Sequence, residues 1–359
     1  MQRARRSLND RRRHRQIARS APAHGRVALF YGHDRIPSLD EPAHGGTVKF
    51  QQLQSVFPNT PRQFNLAYLG SSNRPPDSSA LIRLARDRNA PIVVNQNGVA
   101  YPGWHGEGWE GANEPLAELL HAADHVIYQS VFCKLSADLF LGEPGAAWEI
   151  LHNPVDTKRF APADRSARPL TILLGGNQYQ RYRFERGLLA FELISHAEPD
   201  ARLLVTGRIS WHPDRRLAER EACELLASST AAGRIELIGP FTQREAPMLY
   251  RRGDMLLHTK YNDPCPTVVL EALASGLPVV YSDSGGTPEL VGDAGIGVPA
   301  PLDWERDHPP DPEELAAAVL RLAGRLDEHS AAARARAVGR FDLRPWIERH
   351  RALFEELAT

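Results

Sequence analysis

The sequence predicts an α/β protein built from two Rossmann-like domains, each a doubly wound parallel sheet, facing each other across a cleft. Short apolar runs alternate with helical patterns along most of the chain, which is typical of parallel βαβ units. This alternation restarts after a polar segment that is punctuated by Pro154, Pro162 and Pro169. The length of 359 residues also exceeds that of a usual single domain, so two domains are the natural expectation.

The first domain is predicted to contain five strands, and a loop with the pair Gly45–Gly46 and a helix over about 47–57 follow the first of them. Its strand candidates are residues 26–31, 63–69, 91–95, 124–129 and 147–151. Glycines at the carboxyl end of a strand let the backbone approach a ligand closely, although an ordinary loop is the alternative here.

The second domain repeats the pattern. Its strand candidates are residues 170–174, 202–206, 235–238, 255–258 and 278–281. Asp311, Pro312 and the glutamates after them are a strong helix start, with an aspartate N-cap and proline at the first helical position. We therefore expect a basic, disordered arm over 1–22, an N-terminal domain over 23–160, a C-terminal domain over 168–335, and a last helix within 340–359 that packs back toward the N-terminal domain.

Composition excludes several classes of protein. The formal net charge is −1, and cysteines occur only at the well-separated positions 133, 223 and 265, so neither a disulfide scaffold nor a structural zinc site is expected. No apolar run approaches the ~18–20 residues of a membrane span, and the start lacks the apolar region of a signal peptide. The sequence is therefore interpreted as that of a cytoplasmic protein.

The N-terminal arm is the most unevenly charged segment. Residues 1–20 carry eight arginines and one acid, Asp10. Blocks of like charge are usually solvated and disordered, which is the favoured interpretation. The alternative is a peripheral contact with anionic lipid at the inner face of the membrane, or with RNA, through counterion release; no specific nucleic acid is expected.

The strongest chemical signal lies in residues 261–298. Asp263 ends a strand, and Glu271 lies eight positions later in a helix predicted over 266–275. Ligands of open α/β sheets bind beyond the carboxyl ends of strands, and a helix start there offers free N–H groups to a pyrophosphate. Thr267 and Val268 are placed to supply those groups, and Glu271 to accept hydrogen bonds from ribose hydroxyls. A cap and a solvated helix residue are the bland alternative for the two acids.

These residues carry a resemblance to a known family. Residues 263–276 contain two acids separated by seven residues, and the second acid opens the run Glu-Ala-Leu-Ala-Ser-Gly, which is followed by Leu-Pro-Val. They are similar to the nucleotide-sugar site of the retaining GT-B glycosyltransferases of family GT4, the glycosyl transferases group 1. Three further segments resemble that family in the same order along the chain: residues 123–130, 153–160 and 284–289.

The resemblance implies transfer of a sugar from a nucleoside diphosphate sugar to an acceptor hydroxyl, with retention at the anomeric carbon and without a metal ion or other cofactor. It implies a catalytic role for Asp263 and contact with the donor for a second set: Glu271, Thr267, Val268, Cys265, Gly45, Gly46 and Asn97. For Cys265, a small packed hydrophobe is the favoured alternative.

The family places an arginine after the first strand of its second domain and a lysine about six residues later. Asn177 and Arg183 occupy these positions here, and Arg181 or Arg186 are alternatives. Other departures are Asp263 in place of glutamate, prolines 264 and 266 in place of glycines, and Asn97 in place of a histidine. An arginine fork can bind phosphate bidentately, so Arg183 and Arg181 are assigned catalytic roles.

The acceptor is less clearly marked. Residues 101–111 are rich in glycine and aromatic residues, and four of their side chains are acceptor candidates: Trp104, His105, Glu107 and Trp109. A flexible lid or an oligomer contact is the alternative for this loop. A glycan, a lipid-linked sugar or a small molecule are all open as the acceptor.

Two other functions remain open. One is a catalytically degenerate GT-B protein that serves as a binding or scaffold module, an alternative that the departures at Asn177 and Asn97 keep open. The other is a different GT-B sugar-nucleotide enzyme, such as an epimerase. A phosphorylase is a less favoured interpretation, because only Lys260 of the four lysines lies near the site and no lysine that would bind PLP is evident. An oxidoreductase is also less favoured, because Gly175-Gly176-Asn177 does not form the GxGxxG motif.

Overall fold

A computed structural model describes residues 26–164 and 168–358. The predicted arm over 1–22, with its arginines, lies outside these described residues. The described chain divides into two compact units. The first comprises residues 26–38, 43–152 and 344–358, and the second comprises residues 39–42 and 153–343.

The first unit is organised by a parallel sheet whose five strands pair in chain order. The strands are β1 (Leu29–Phe30), β2 (Leu66–Gly70), β3 (Ile92–Gln96), β4 (His125–Tyr128) and β5 (Ala147–Ile150). Six helices belong to the described part of this unit: α1 (Gly45–Leu53), α2 (Ser78–Asp87), α3 (Pro102–His105), α4 (Trp109–His121), α5 (Val131–Leu141) and α13 (Leu343–Leu357).

The C-terminal helix α13 belongs almost entirely to this first unit, because its buried face meets β2 and the segment that follows α1. The hydroxyl of Tyr68 lies 3.0 Å from Nε2 of His350, and both residues are fully buried. The rings of Phe57 and Phe354 meet edge to face at 5.3 Å. These contacts return the chain end to the unit in which the chain begins.

The second unit carries a six-stranded parallel sheet of order β11-β10-β9-β6-β7-β8. Its strands are β6 (Thr171–Leu174), β7 (Arg202–Thr206), β8 (Ile235–Gly239), β9 (Met255–His258), β10 (Val279–Asp283) and β11 (Gly295–Pro299). Its helices are α6 (Arg181–Ala197), α7 (Arg215–Ser228), α8 (Ala246–Tyr250), α9 (Thr267–Ala274), α10 (Thr287–Val291), α11 (Pro312–Ala323) and α12 (Leu326–Arg340). The strand order reverses between β6 and β9, which is the kind of point where open α/β sheets bind ligands.

The predicted α/β architecture, with a parallel sheet in each half, is confirmed, and each of the ten predicted strands corresponds to an observed one. Strand β11 was not predicted, because two glycines in Gly295–Pro299 argue against a strand. In the folded chain the glycine is required, since a Cβ on Gly295 would lie 2.0 Å from the carbonyl oxygen of Val279 on the neighbouring strand.

The division between the units lies earlier than the predicted domain end at residue 160. Residues 153–160 belong to the second unit, where the Val155 N–H donates to the Phe341 carbonyl at 2.8 Å and Phe160 is 1% exposed. The short segment Leu39–Pro42 also belongs there, since Asp40 forms an ion pair with Arg244. No feature of the sequence predicted that residues 39–42 would belong to the second unit.

The helix start at Asp311 is formed as predicted, with its carboxylate accepting from the N–H groups of Glu313 and Glu314 at 2.9 and 3.2 Å. Within residues 26–164 and 168–358, no helix combines the length and the apolar character that a membrane crossing requires.

Candidate functional site

The loops that follow β6 and β9 are neighbours in the second unit, because these two strands pair directly where the strand order reverses. The first loop runs from Gly175 to the start of α6, and the second from Thr259 to the start of α9. Both leave the carboxyl edge of the sheet, so their polar side chains converge on one place.

Asp263 is the centre of this place. One of its carboxylate oxygens lies 3.4 Å from Nζ of Lys260, and the other lies 3.2 Å from Nε2 of His258. The side chains of all three are largely buried, with exposures of 14% for Asp263, 10% for Lys260 and 1% for His258. An acid of the predicted pair thus lies in a pocket with basic partners.

The charges in this cluster follow from its neighbours. Burial alone would raise the pKa of Asp263, but Lys260, His258 and Arg183 outweigh it and hold that pKa well below its ordinary value. Burial likewise opposes the charge of Lys260, yet Asp263 and Tyr179 raise its pKa overall. Burial lowers the pKa of His258. The cluster therefore contains a carboxylate, an ammonium and a neutral imidazole near neutral pH.

Arg183 is the largest of the fully buried side chains, at 2% exposure, and its guanidinium holds the loop after β6. It donates from Nη1 to the carbonyl of Asn177 and from Nη2 to that of Gly175 at 3.4 Å. Its charged carbon lies 4.8 Å from the ring centre of Tyr179, and Nζ of Lys260 lies 5.3 Å from the same centre. One tyrosine ring thus contacts both cations.

The Gly-Gly turn after β10 fixes the backbone of Asp263. The Gly286 N–H donates to the Asp263 carbonyl at 2.8 Å, and the Asn262 N–H donates to Oγ of Ser284 at 2.9 Å. Gly285 has φ +69°, and a Cβ there would lie 2.6 to 2.7 Å from backbone atoms of Asn262 and Asp263. The sequence Ser284-Gly285-Gly286 therefore has a physical role, which is to clamp the Asp263 loop.

Glu271 has a different environment, although it lies on the helix that begins just after Asp263. Its carboxylate accepts from Nε2 of Gln243 and from the hydroxyl of Tyr250, both at 2.8 Å, and it is 2% exposed. Burial raises its pKa to about 7, while Gln243, Tyr250 and Arg159 act in the opposite direction. Arg159 also donates to the Gln243 carbonyl at 2.6 Å and so steadies that partner.

The start of α9 is where the two loops approach each other. No side chain caps this helix at Pro266, so its first backbone N–H groups lack the hydrogen bond that a capping side chain would accept. Val268 lies beside Gly176, which in turn lies beside Nη2 of Arg183. Cys265, by contrast, is packed in the apolar core of the unit at 5% exposure.

Several buried polar atoms around this place have no hydrogen-bond partner among the described residues. They are Oε1 of Gln178, Oε1 of Gln180, Nε of Arg183, Nδ1 of His258 and Oδ1 of Asn262. Buried polar groups are normally satisfied, and unsatisfied ones cluster where a ligand or water completes the hydrogen bonding.

Other predicted residues of this unit do not join the cluster. Arg181 lies at the exposed start of α6, where it pairs with Glu185 at 2.7 Å. Asn177 ties its own loop to the next one, since its Oδ1 accepts from the Arg208 N–H at 2.8 Å. Of the cations assigned to the phosphate, the structure therefore brings Arg183 to Asp263 and leaves Arg181 on the surface.

The donor-site candidates of the first unit lie at the start of α1 and just after β3. Gly45 and Gly46 begin α1 behind His44, and Gly46 packs closely against Ser72. Asn97 follows β3, where its N–H donates to Oγ of Ser71 at 2.8 Å.

The acceptor candidates lie on α3, α4 and the loop between them. Trp104 is 36% exposed, and His105 and Glu107 are exposed. Trp109 instead packs edge to face on Phe140 at 5.4 Å.

Four contributors to the site were not predicted as such: His258, Tyr179, Gln243 and Tyr250. Lys260 was noted near the site but given no role. Its proximity to Asp263 in sequence was a usable signal, whereas nothing local marks Gln243 and Tyr250, which reach Glu271 from 28 and 21 residues away. Within the described residues, no group of three or more His, Cys, Asp or Glu side chains is arranged to hold a metal ion.

Sequence comparison finds a family profile that matches the second unit, and several proteins that are similar to part of the chain. The profile of the family described as glycosyl transferases group 1 matches residues 169–325. The D-inositol 3-phosphate glycosyltransferase of Streptomyces bingchenggensis is 30% identical over 209 residues, covering 53% of this chain and 45% of that protein. The GDP-mannose-dependent alpha-mannosyltransferase of Mycobacterium tuberculosis is 26% identical over 211 residues, covering 50% and 53%. The chain thus spans about half the length of these curated relatives.

Comparison with solved structures shows a similar fold over most of the chain. Sucrose-phosphate synthase from Thermosynechococcus elongatus superposes with a TM-score of 0.65 at 17% identity, covering 86% of this chain and 76% of that one. Anabaena HepE in complex with UDP-glucose gives a TM-score of 0.65 at 17% identity, covering 86% and 82%. At such identities the likeness concerns the fold.

Proposed function

We propose that this chain transfers a sugar from a nucleoside diphosphate sugar to an acceptor hydroxyl with retention of anomeric configuration, because residues 169–325 match the profile of the group 1 glycosyl transferases and the chain has the GT-B type of fold. The observation that carries the proposal is the pair Asp263 and Glu271, which flank the uncapped start of α9 with Lys260 and Arg183 beside it. This arrangement suits a bound diphosphate.

The reaction replaces one bond at the anomeric carbon by another. The bond from that carbon to the diphosphate oxygen breaks, and a bond to the acceptor oxygen forms on the same face. The acceptor proton goes to an oxygen of the leaving phosphate, so the products are a glycoside and a nucleoside diphosphate. The residues of this chain contribute positioning and charge stabilisation rather than a nucleophile.

Each part of the site has a role in this scheme. The N–H groups of Thr267 and Val268, with the cations beside the start of α9, face the negative charge that grows on the leaving diphosphate. Asp263, held ionised by its basic neighbours, faces the donor sugar. Glu271 accepts from the ribose hydroxyls while Gln243 and Tyr250 hold its carboxylate. We propose that these cations make a metal ion unnecessary and that no other cofactor takes part.

A donor screen tests the proposal. Purified protein is titrated with UDP-, GDP-, ADP- and TDP-sugars by calorimetry, and release of nucleoside diphosphate is then followed with and without EDTA. Donors that include GDP-mannose and UDP-glucose are natural first choices, because a relative is named for the first and HepE was solved with the second. We expect tight binding of one donor class and turnover that survives EDTA.

The anomeric configuration of the product is read by NMR, and retention is expected. Binding without turnover on sugars, polyols and lipid-linked acceptors would instead favour a scaffold module, and absence of binding to every nucleotide would refute the proposal.

A further inference from the structure

Lys260 lies just beyond β9, at the carboxyl edge of the sheet of the second unit, next to Asp263. It follows β9 by two residues, its Nζ is 3.4 Å from Oδ1 of Asp263, and its side chain is 10% exposed. Asp263 in turn is held by His258 and by the turn at Gly286. The ammonium is therefore buried within the charged cluster, and it is not a surface lysine.

The loop after β6 lacks the cation that the family resemblance implies at its start. Asn177 occupies that place as a neutral side chain, whose Oδ1 accepts from the Arg208 backbone N–H, while the Asn177 backbone carbonyl accepts from the Arg183 guanidinium. Arg183 is present, but two of its donor groups hold the backbone carbonyls of Gly175 and Asn177. A guanidinium used in this way positions a loop, so it has less capacity to bind a ligand.

Lys260 differs from Arg183 in the chemistry it can offer. An ammonium has three donors on a flexible stem and can turn them from one anion to another, whereas a planar guanidinium is fixed by the bonds it already makes. Both cations lie against the ring of Tyr179, so they approach the same space, Arg183 from the first turn of α6 and Lys260 from the loop after β9. That space adjoins the uncapped start of α9 through Gly176 and Val268.

From this geometry we infer that Lys260 is a diphosphate-binding residue of this chain, which supplies from the loop after β9 the positive charge that Asn177 does not supply from the loop after β6. The inference rests on the proposed function and specifies how its donor is held. Lys260 shares its charge between Asp263 and the diphosphate, and Arg183 mainly holds the loop that approaches the same phosphates.

The test compares ligands that differ only in phosphate content. Calorimetry gives the affinities of the nucleoside, the monophosphate and the diphosphate of the base chosen by the donor screen, for wild type and Lys260→Met. We expect the variant to lose about 10–100-fold in diphosphate affinity, the range of a charged hydrogen bond, while nucleoside affinity changes less than about threefold. Lys158→Met, an exposed lysine in the same unit, is the matched control and should change neither.

A second pair of variants keeps the test decisive if Lys260→Met leaves Asp263 buried without its partner and fails to fold. Asp263→Asn is compared with Asp263→Asn/Lys260→Met. If Lys260 binds the diphosphate, its removal still costs about tenfold or more in this background. If Lys260 serves only to neutralise Asp263, its removal changes nothing there, and the inference is overturned.

Failure of this inference is distinguishable from failure of the proposed function. Wild-type protein that binds no nucleotide would refute the function itself. Wild-type protein that prefers the diphosphate, with lysine variants that keep the same preference, would refute only the role of Lys260.

Discussion

Asp263, in the loop before α9, and Glu271, within α9, lie eight residues apart yet have opposite electrostatic surroundings. Asp263 has a lysine at 3.4 Å and a histidine at 3.2 Å, and its pKa is held well below its ordinary value. Glu271 has two neutral donors at 2.8 Å, and burial raises its pKa to about 7. Removal from solvent therefore has opposite outcomes for the two acids, because a nearby cation compensates the loss of solvation far better than a hydroxyl or an amide does.

This difference in ionisation suits the two acids to different roles in the site. A carboxylate that is permanently ionised can organise charge around a reacting sugar. A carboxyl group that titrates near neutrality can exchange hydrogen bonds with ribose hydroxyls at small electrostatic cost. Four substitutions test whether the two acids differ in this way.

The largest effect is expected from Asp263→Asn, which keeps the shape of the side chain and removes its charge. Turnover should fall on the order of 100-fold or more, the loss typical of an electrostatic contributor to a transition state. Release of nucleoside diphosphate at saturating donor is the measurement. Glu271→Gln serves as the matched control and should cost less than about tenfold, since Glu271 is already partly protonated at pH 7. A larger loss in Glu271→Gln would reverse the assignment of the two acids.

The pH dependence of stability should differ in sign between the two acids. The folded-state pKa of Glu271 is raised from 4.5 to about 7, so its contribution to stability is present below pH 4.5 and is lost as the pH rises through 7. Replacement by glutamine should flatten the decline in unfolding free energy between pH 5 and 8 by about 2–3 kcal/mol. Urea denaturation at several pH values measures it, and parallel curves for wild type and variant would contradict the raised pKa.

The pKa of Asp263 is lowered, so its contribution is present above its ordinary value of 3.8 and is lost as the pH falls. Asp263→Asn should therefore change the acid limb of the same profile and leave the limb above pH 5 unaltered.

Glu271→Ala should weaken donor affinity by about 1.5–3 kcal/mol, the cost of losing a hydrogen bond to a charged group. Calorimetry with the donor identified by the screen measures this change. Tyr250→Phe, which removes one donor to the carboxylate without touching the ligand, should give a smaller loss. Unchanged affinity in Glu271→Ala would remove that residue from the donor site.

Gly285→Ala tests whether the clamp behind Asp263 is needed. At φ +69° alanine is strained by about 1–2 kcal/mol, and its Cβ would also press on the backbone of Asn262 and Asp263. We expect lower stability together with reduced turnover. Gly142→Ala has a comparable φ of +86° but only an ordinary contact with His121 at 3.6 Å, so it should lose stability alone. Full activity in Gly285→Ala would show that Asp263 does not depend on this turn.

Much of the candidate site could be predicted because its signals are local. Asp263, the start of α9 and Glu271 follow from one strand, one loop and one helix, and Asp311 with Pro312 marks a cap that forms as expected. The assignment of cations could not be made in this way. Arg181 and Arg183 are two residues apart, and only packing against Tyr179 and the carbonyls after β6 buries one while the other pairs with Glu185 at the surface.

The alternation of strands and helices, the match of residues 169–325 to a family profile and the placement of two acids about one short helix could be predicted from the chain alone, because they depend on periodicity and on neighbours in the chain. The folded structure was needed to indicate which acid is ionised, which cation accompanies it and why β11 and the Asp263 loop need glycine. Those properties depend on atoms from distant segments, such as Gln243 and Gly285, and on the dielectric environment that their packing creates.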